Sequence, residues 1–169
     1  MIKTLRLTFF PEENPFEQDK NAGLVWGKIN LNVEGPEGRV IQPVIDMVWD
    51  VKELVGWILQ NETNLYNEEF PEKYIVGGNS LAEYRFMYYE LCRSNDEIDD
   101  EADSILETYS MHHNVSFGMT GTKTKNIYIG KRNGEFEVSY YDIQENWKHS
   151  INLENFINDA GVINRAFII

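Results

Sequence analysis

Seven carboxylates fall within twelve residues of this chain, Asp96, Glu97, Asp99, Asp100, Glu101, Asp103 and Glu107, and no Lys or Arg occurs from 94 to 122. Acids so dense can hold a hard cation, move protons or act together as a field, and their spacing separates these options. An EF-hand loop counted from Asp96 requires oxygen ligands at its first, third and fifth positions, glycine at the sixth and glutamate at the twelfth. Asp96, Asp100 and Glu107 fit, but Ile98 holds the third position and Glu101 the sixth. Ile98 cannot ligate and a loop without the glycine cannot turn sharply, so no calcium site is expected.

The other reactive side chains form no pattern. His112 and His113 are adjacent, which points their side chains apart on a helix or a strand, and His149 stands alone. One cysteine, Cys92, cannot build a Cys/His zinc set, and it is expected as a small buried apolar side chain on an aromatic helix. No phosphate-binding glycine loop and no hydrolase nucleophile elbow occurs. The expectation is no catalytic residue, no metal and no cofactor.

What remains is the field. Residues 61–122 carry thirteen Asp/Glu against Lys73, Arg85 and Arg93, and they hold most of the net charge of −13. Such a field repels nucleic acid and anionic membrane and attracts cationic partners. Lys123, Lys125, Lys131 and Arg132 cluster near Tyr128, but on so acidic a chain they read as a solvated loop and hairpin tip. A purely solubilising helix face normally mixes signs. Like charges four apart, such as Asp96 with Asp100 and Asp99 with Asp103, disfavour a helix by a few tenths of a kcal/mol each, so the one-signed run suggests a use.

The elements that must position these residues follow from periodicity. With 169 residues, 42% apolar and 13% aromatic, the chain can bury a core as one domain spanning 1–169. Leu5, Leu7 and Phe9 alternate as a strand, and so do Ile29, Leu31 and Val33; a turn at 34–38 leads to a third strand from Arg39, giving an antiparallel meander. Asp50 with Glu53 opens a helix whose Val51, Leu54, Val55, Ile58 and Leu59 share a face. Residues 61–79 are expected as a loop. Ser80 with Glu83 opens a helix to about Cys92, whose Tyr84, Phe86, Tyr88 and Tyr89 make it apolar on several sides and therefore central. Ile98, Ala102, Ile105, Leu106 and Tyr109 form a third stripe, with acids on the other faces. Asn133-Gly134 predicts a type I′ hairpin over 127–140, since both residues tolerate positive φ. A short strand at 147–151 follows, then a helix capped by Asn152 and ended by Gly161. The order is α+β: an antiparallel sheet packed on a small group of helices. The opening residues 1–6 lack the long apolar region of a signal peptide, no stretch is long and apolar enough to span a membrane, and the lone cysteine favours a reducing compartment. A cytoplasmic protein is expected.

The acidic helical centre, the single cysteine, the absence of a catalytic motif and the C-terminal layout make the chain similar to a known group. That layout is the 127–141 hairpin, then Trp147-Lys148-His149-Ser150, then a helix from Leu153, within residues 112–160. It resembles the small acidic α+β immunity proteins encoded beside bacterial toxins in contact-dependent growth inhibition and other polymorphic toxin systems. The resemblance implies a protein that binds its own toxin, often a cationic nuclease, and blocks it. It carries over no functional residues. On this reading Asp96, Glu97, Asp99, Asp100, Glu101, Asp103 and Glu107 steer the toxin in, and Tyr109 or Phe70 anchors it, since buried aromatics dominate interfaces while charges set on-rates. The alternatives are a small carboxylate- or metal-dependent enzyme, needing acids convergent on a histidine in a pocket, and an acidic regulatory domain or nucleic-acid mimic.

Overall fold

The computed structural model describes residues 2–15, 23–74, 77–94 and 99–168. Among these, six strands and five α-helices form one α+β unit. The chain runs β1 (Lys3–Pro11), β2 (Trp26–Glu34), β3 (Val40–Asp50), α1 (Val51–Gln60), α2 (Glu62–Asn67), α3 (Leu81–Ser94), α4 (Asp100–His113), β4 (Tyr128–Arg132), β5 (Glu135–Tyr141), β6 (Asn146–Asn152) and α5 (Leu153–Ile163). The sheet order is β3-β2-β1-β6-β5-β4.

The meander forms in the register that its alternation demands. Leu5 pairs with Val33, Leu7 with Leu31 and Phe9 with Ile29, so all six point to one buried face. The hairpin forms as well: Arg132 pairs with Glu135 across Asn133 (φ 52°) and Gly134 (φ 79°), the two positive values that a type I′ turn needs. The sheet is not wholly antiparallel. β1 and β6 run parallel where they meet, and their pairing covers only Lys3–Ile151 and Thr4–Asn152. Beyond Thr4 helix α5 takes over along the strand: Leu7 N–H donates to Asp159 Oδ2 (3.0 Å) and Arg6 Nη1 to Asp159 Oδ1 (2.7 Å).

Two cores result. The larger is built from the inner faces of β1, β2 and β6, from Val51, Leu54, Val55 and Ile58 of α1 and from Phe156, Ile157 and Ala160 of α5, and it includes Ile129 and Val138 of the hairpin. The smaller lies between α3 and α4 and contains Leu81, Tyr84, Tyr88, Leu106, Tyr109 and Tyr128. Helix α3 docks on β5 through its own first turn, where backbone N–H groups lack intrahelical acceptors. Leu81 N–H donates to Glu137 Oε1 (2.7 Å), Ala82 N–H to Ser139 Oγ (3.2 Å) and Glu83 N–H to Ser80 Oγ (3.1 Å).

Three expectations need correction. The 61–79 segment is not all loop: α2 forms there around one buried residue, Leu65, and Glu72–Tyr74 makes a 3-10 turn. Helix α3 is not central, since Tyr89 and Leu91 face solvent while Leu81, Ala82, Tyr84, Arg85 and Tyr88 are buried. Helix α5 runs through Gly161 to Ile163 and passes into a π-helical turn, Asn164–Ile168.

Candidate protein-binding face

Helix α4 carries the described part of the acid run. Its N-cap is Asp99, whose Oδ1 accepts from Glu101 N–H (3.0 Å) and Ala102 N–H (3.3 Å). Asp100, Glu101 and Asp103 follow in the first turn, where the helix dipole favours negative charge. Ala102, Leu106, Tyr109, Ser110 and His113 turn inward. Asp100, Glu101 and Glu107 are exposed and Asp103 is half-buried. The described ion pairs of Lys and Arg, including Arg6–Asp159, Lys28–Asp46, Lys131–Glu69 and Arg132–Glu137, lie elsewhere. Among the described residues, no Lys or Arg pairs with these α4 acids. Asp96, Glu97 and Ile98 lie outside the described residues.

The aromatic anchors expected beside this face are not on it. Tyr109 is 0% exposed and Phe70 is 5% exposed. Their rings meet edge-on at 5.0 Å, and the other neighbour of Tyr109 is His113, stacked at 3.9 Å. The reason is helical spacing: Tyr109 continues the inward stripe of Ala102 and Leu106. Burial, reinforced by the nearby Glu68 and Glu137 charges, pushes the Tyr109 phenol well above its ordinary pKa, so it stays a neutral core residue.

The adjacent histidines do converge, contrary to expectation. His112 Nδ1 lies 2.8 Å and His113 Nε2 3.2 Å from the same acceptor, Glu68 Oε2. Glu68 follows α2 directly, and the segment after it runs beside β4, with Glu69 bridged to Lys131. A carboxylate placed between two divergent rings can reach both. His113 Nδ1 donates to the Ile129 carbonyl (2.8 Å), so the group joins the end of α2, the end of α4 and strand β4. Burial pushes the Glu68 carboxyl up, but the hydrogen bonds and charge of His113 and His112 outweigh it and hold the group below its ordinary pKa. No spacing rule links Glu68 with residues 44 and 45 positions away. His113 is 0% exposed with both ring nitrogens engaged, which suits a latch better than proton transfer to a substrate.

The remaining residues with chemical potential are dispersed. His149 Nδ1 accepts from Lys3 Nζ (2.6 Å), and its ring stacks on Trp147 at 5.9 Å. Cys92 is half-buried at the margin of the smaller core rather than inside it. In the basic cluster, Lys125 pairs with Glu145, Lys131 with Glu69 and Arg132 with Glu137, while Tyr128 is buried. Two open clefts of about 410 and 300 Å³ contain no histidine: Lys52, Glu53, Trp57 and Phe117 border the first, and Glu83, Trp147 and Lys148 the second. Among the described residues no three His, Cys, Asp or Glu side chains are grouped to hold a metal ion, and no helix is long and apolar enough to cross a membrane. No protein-family model matches the chain, and neither a curated protein nor a solved structure matches it.

Proposed function

We propose that this protein is an immunity-type binding domain that neutralises a cationic toxin domain, a nuclease being the natural target, by covering its active-site groove. The observation that carries this reading is the outer face of α4, where Asp100, Glu101 and Glu107 are exposed with no described Lys or Arg paired to them. A groove that binds polyphosphate is lined with cations, and a helix presenting unpaired carboxylates is complementary to it. The buried sides of α4 are committed to Tyr109, Leu106 and the Glu68–His112–His113 latch, so the acid face is held by core contacts. The inward turn of Tyr109 moves the desolvated anchor of such an interface to exposed aromatics, of which Tyr89 on α3 is one.

The test is association with the basic C-terminal domain of a secreted protein encoded beside this chain, measured by stopped flow across a salt series. Charge-steered pairs associate at ~10⁸–10⁹ M⁻¹s⁻¹ at low salt against ~10⁵–10⁶ for neutral ones, and the advantage fades as the screening length shortens. The triple variant Asp100→Lys, Glu101→Lys, Glu107→Lys is expected to bind at least tenfold more slowly. Equal rates for wild type and variant at low salt would reduce the run to a solubilising face. Tight binding to a nucleic-acid-binding protein with none to the toxin domain would replace the immunity reading with the mimic reading.

A further inference from the structure

Arg85 is 3% exposed, and a guanidinium keeps its positive charge at any depth. Buried cations are normally matched by a carboxylate, and even the partly buried Arg132 and the half-exposed Arg6 have one, Glu137 at 3.4 Å and Asp159 at 2.7 Å. Among the described residues no carboxylate pairs with Arg85. Its Nε–H donates to Ser110 Oγ (2.9 Å) and its Nη2 to Tyr89 OH (2.7 Å), and its face lies over the Tyr89 ring, 3.8 Å from the centroid. Nη1 is buried and has no hydrogen-bond partner.

The same guanidinium lines a cavity of about 60 Å³ between α3, β4 and β5, together with Tyr89, Phe86, Asn126, Tyr128 and Tyr141. The hydrogen bonds around it fix the polarity of its wall. Ser110 donates its hydroxyl proton to the Leu106 carbonyl (2.8 Å), so it accepts from Arg85 and from Tyr128 OH (3.1 Å). Tyr89 accepts from Arg85 and keeps its own O–H to give. Asn126 Oδ1 already accepts from Asn114 Nδ2 (3.0 Å) and Ser116 Oγ (3.4 Å), which leaves its NH₂ as the free end of the amide. The wall thus offers a cation, a hydroxyl proton and an amide donor, with no carboxylate among its residues.

The geometry points to this cavity as a binding site for a small carboxylate, of formate or acetate size, held by Arg85 with Tyr89 and Asn126. One water needs only about 10–15 Å³ of such space, so the cavity admits a group of a few heavy atoms beside the guanidinium. A carboxylate is planar and pairs with the edge of a guanidinium, and it supplies the negative charge that Arg85 lacks. None of the exposed α4 acids lines the site, so it does not depend on their role, although it shares Tyr89 with the interface proposed above.

The experiment is a set of thermal melts and ¹³C-acetate NMR titrations of the whole chain, with sodium acetate, formate, inorganic phosphate and chloride exchanged at constant ionic strength. Acetate and formate are expected to saturate in the NMR titration and to raise Tm with the logarithm of their concentration, by roughly 3–5 °C at ten times their Kd, with chloride as the baseline and phosphate as the competing anion. Arg85→Gln should abolish the shift. Tyr89→Phe, at a position 50% exposed and so tolerant of change, should weaken acetate several-fold while keeping the charge, which preserves the test if Arg85→Gln does not fold. Melts that coincide in acetate and chloride, acetate binding that both variants leave unchanged, or phosphate binding tighter than acetate would each overturn the assignment.

Discussion

Gly130 shows how closely single residues are fitted in this protein. A Cβ at that position would stand 2.5 Å from Tyr109 OH and 2.7 Å from His113 Nδ1, both buried. Gly130→Ala should therefore cost about 1–3 kcal/mol through overpacking, seen as a lower urea midpoint with an unchanged slope. His149 offers a pH-dependent test. Burial, and then the Lys3 ammonium, hold its imidazole below the ordinary pKa of 6.5. The unfolded chain consequently takes up the proton first on acidification, so wild-type stability should fall as pH drops through 6.5 towards the folded-state value. His149→Gln should flatten that part of the profile, as read by denaturant melts at pH 7.5 and 5.5. Glu68 acts in a separate, lower window: its pKa is depressed from 4.5, so its contribution is complete above 4.5 and is lost as pH falls through the folded value.

Among the elements, the β1–α5 junction depends on one carboxylate. Asp159 takes the Leu7 N–H that no strand accepts, and it also pairs with Arg6. Asp159→Ala should cost about 1–3 kcal/mol, the penalty of a donor left unpaired, whereas Arg6→Ala should cost under about 1 kcal/mol because that side chain is 37% exposed. Equal losses in urea melts would mean that the ion pair, and not the strand edge, holds α5. The elements also show why some of the fold was legible in sequence and some was not. The 127–140 hairpin was readable because Asn133 and Gly134 encode their own backbone, and α1 because Asp50 caps a clean apolar stripe, its Oδ1 accepting from Lys52 N–H (3.0 Å). Helix α2 was not, having six residues and one buried side chain, too short for a period. The parallel β1–β6 pair and the Glu68 latch join residues remote in sequence, where local pattern carries no information. Tyr109 was legible as an inward residue of its stripe, and placing it at an interface set that periodicity aside.

On the scale of the whole molecule, charge is the dominant property. Each acid-to-Lys change shifts the net charge by two, so the triple reversal on α4 takes it from −13 to −7. Tm should stay level or rise as self-repulsion falls, while the association rate with a basic partner drops. Added salt should also raise the Tm of the wild type more than that of the variant. A variant that melts clearly lower would mean that these acids stabilise α4 itself, through its dipole, more strongly than they repel one another. The candidate site was legible to the extent that a dense acid run announces itself in composition. What composition could not give is which carboxylates reach solvent and which aromatics remain beside them, because both depend on the face of α4 that the smaller core consumes.

The two-residue contact of β1 with β6 governs the order in which the protein is assembled. Lys3 and Ile151 are separated by nearly the whole chain, so joining the meander to the hairpin half carries a large loop-closure cost that local contacts cannot lower. During synthesis, strands β1 to β3 emerge before β6 and α5, and until those follow, the inner faces of Leu7 and Ile29 have only α1 of the larger core's helices to cover them. In that interval the nascent meander is the species most open to mispairing and proteolysis.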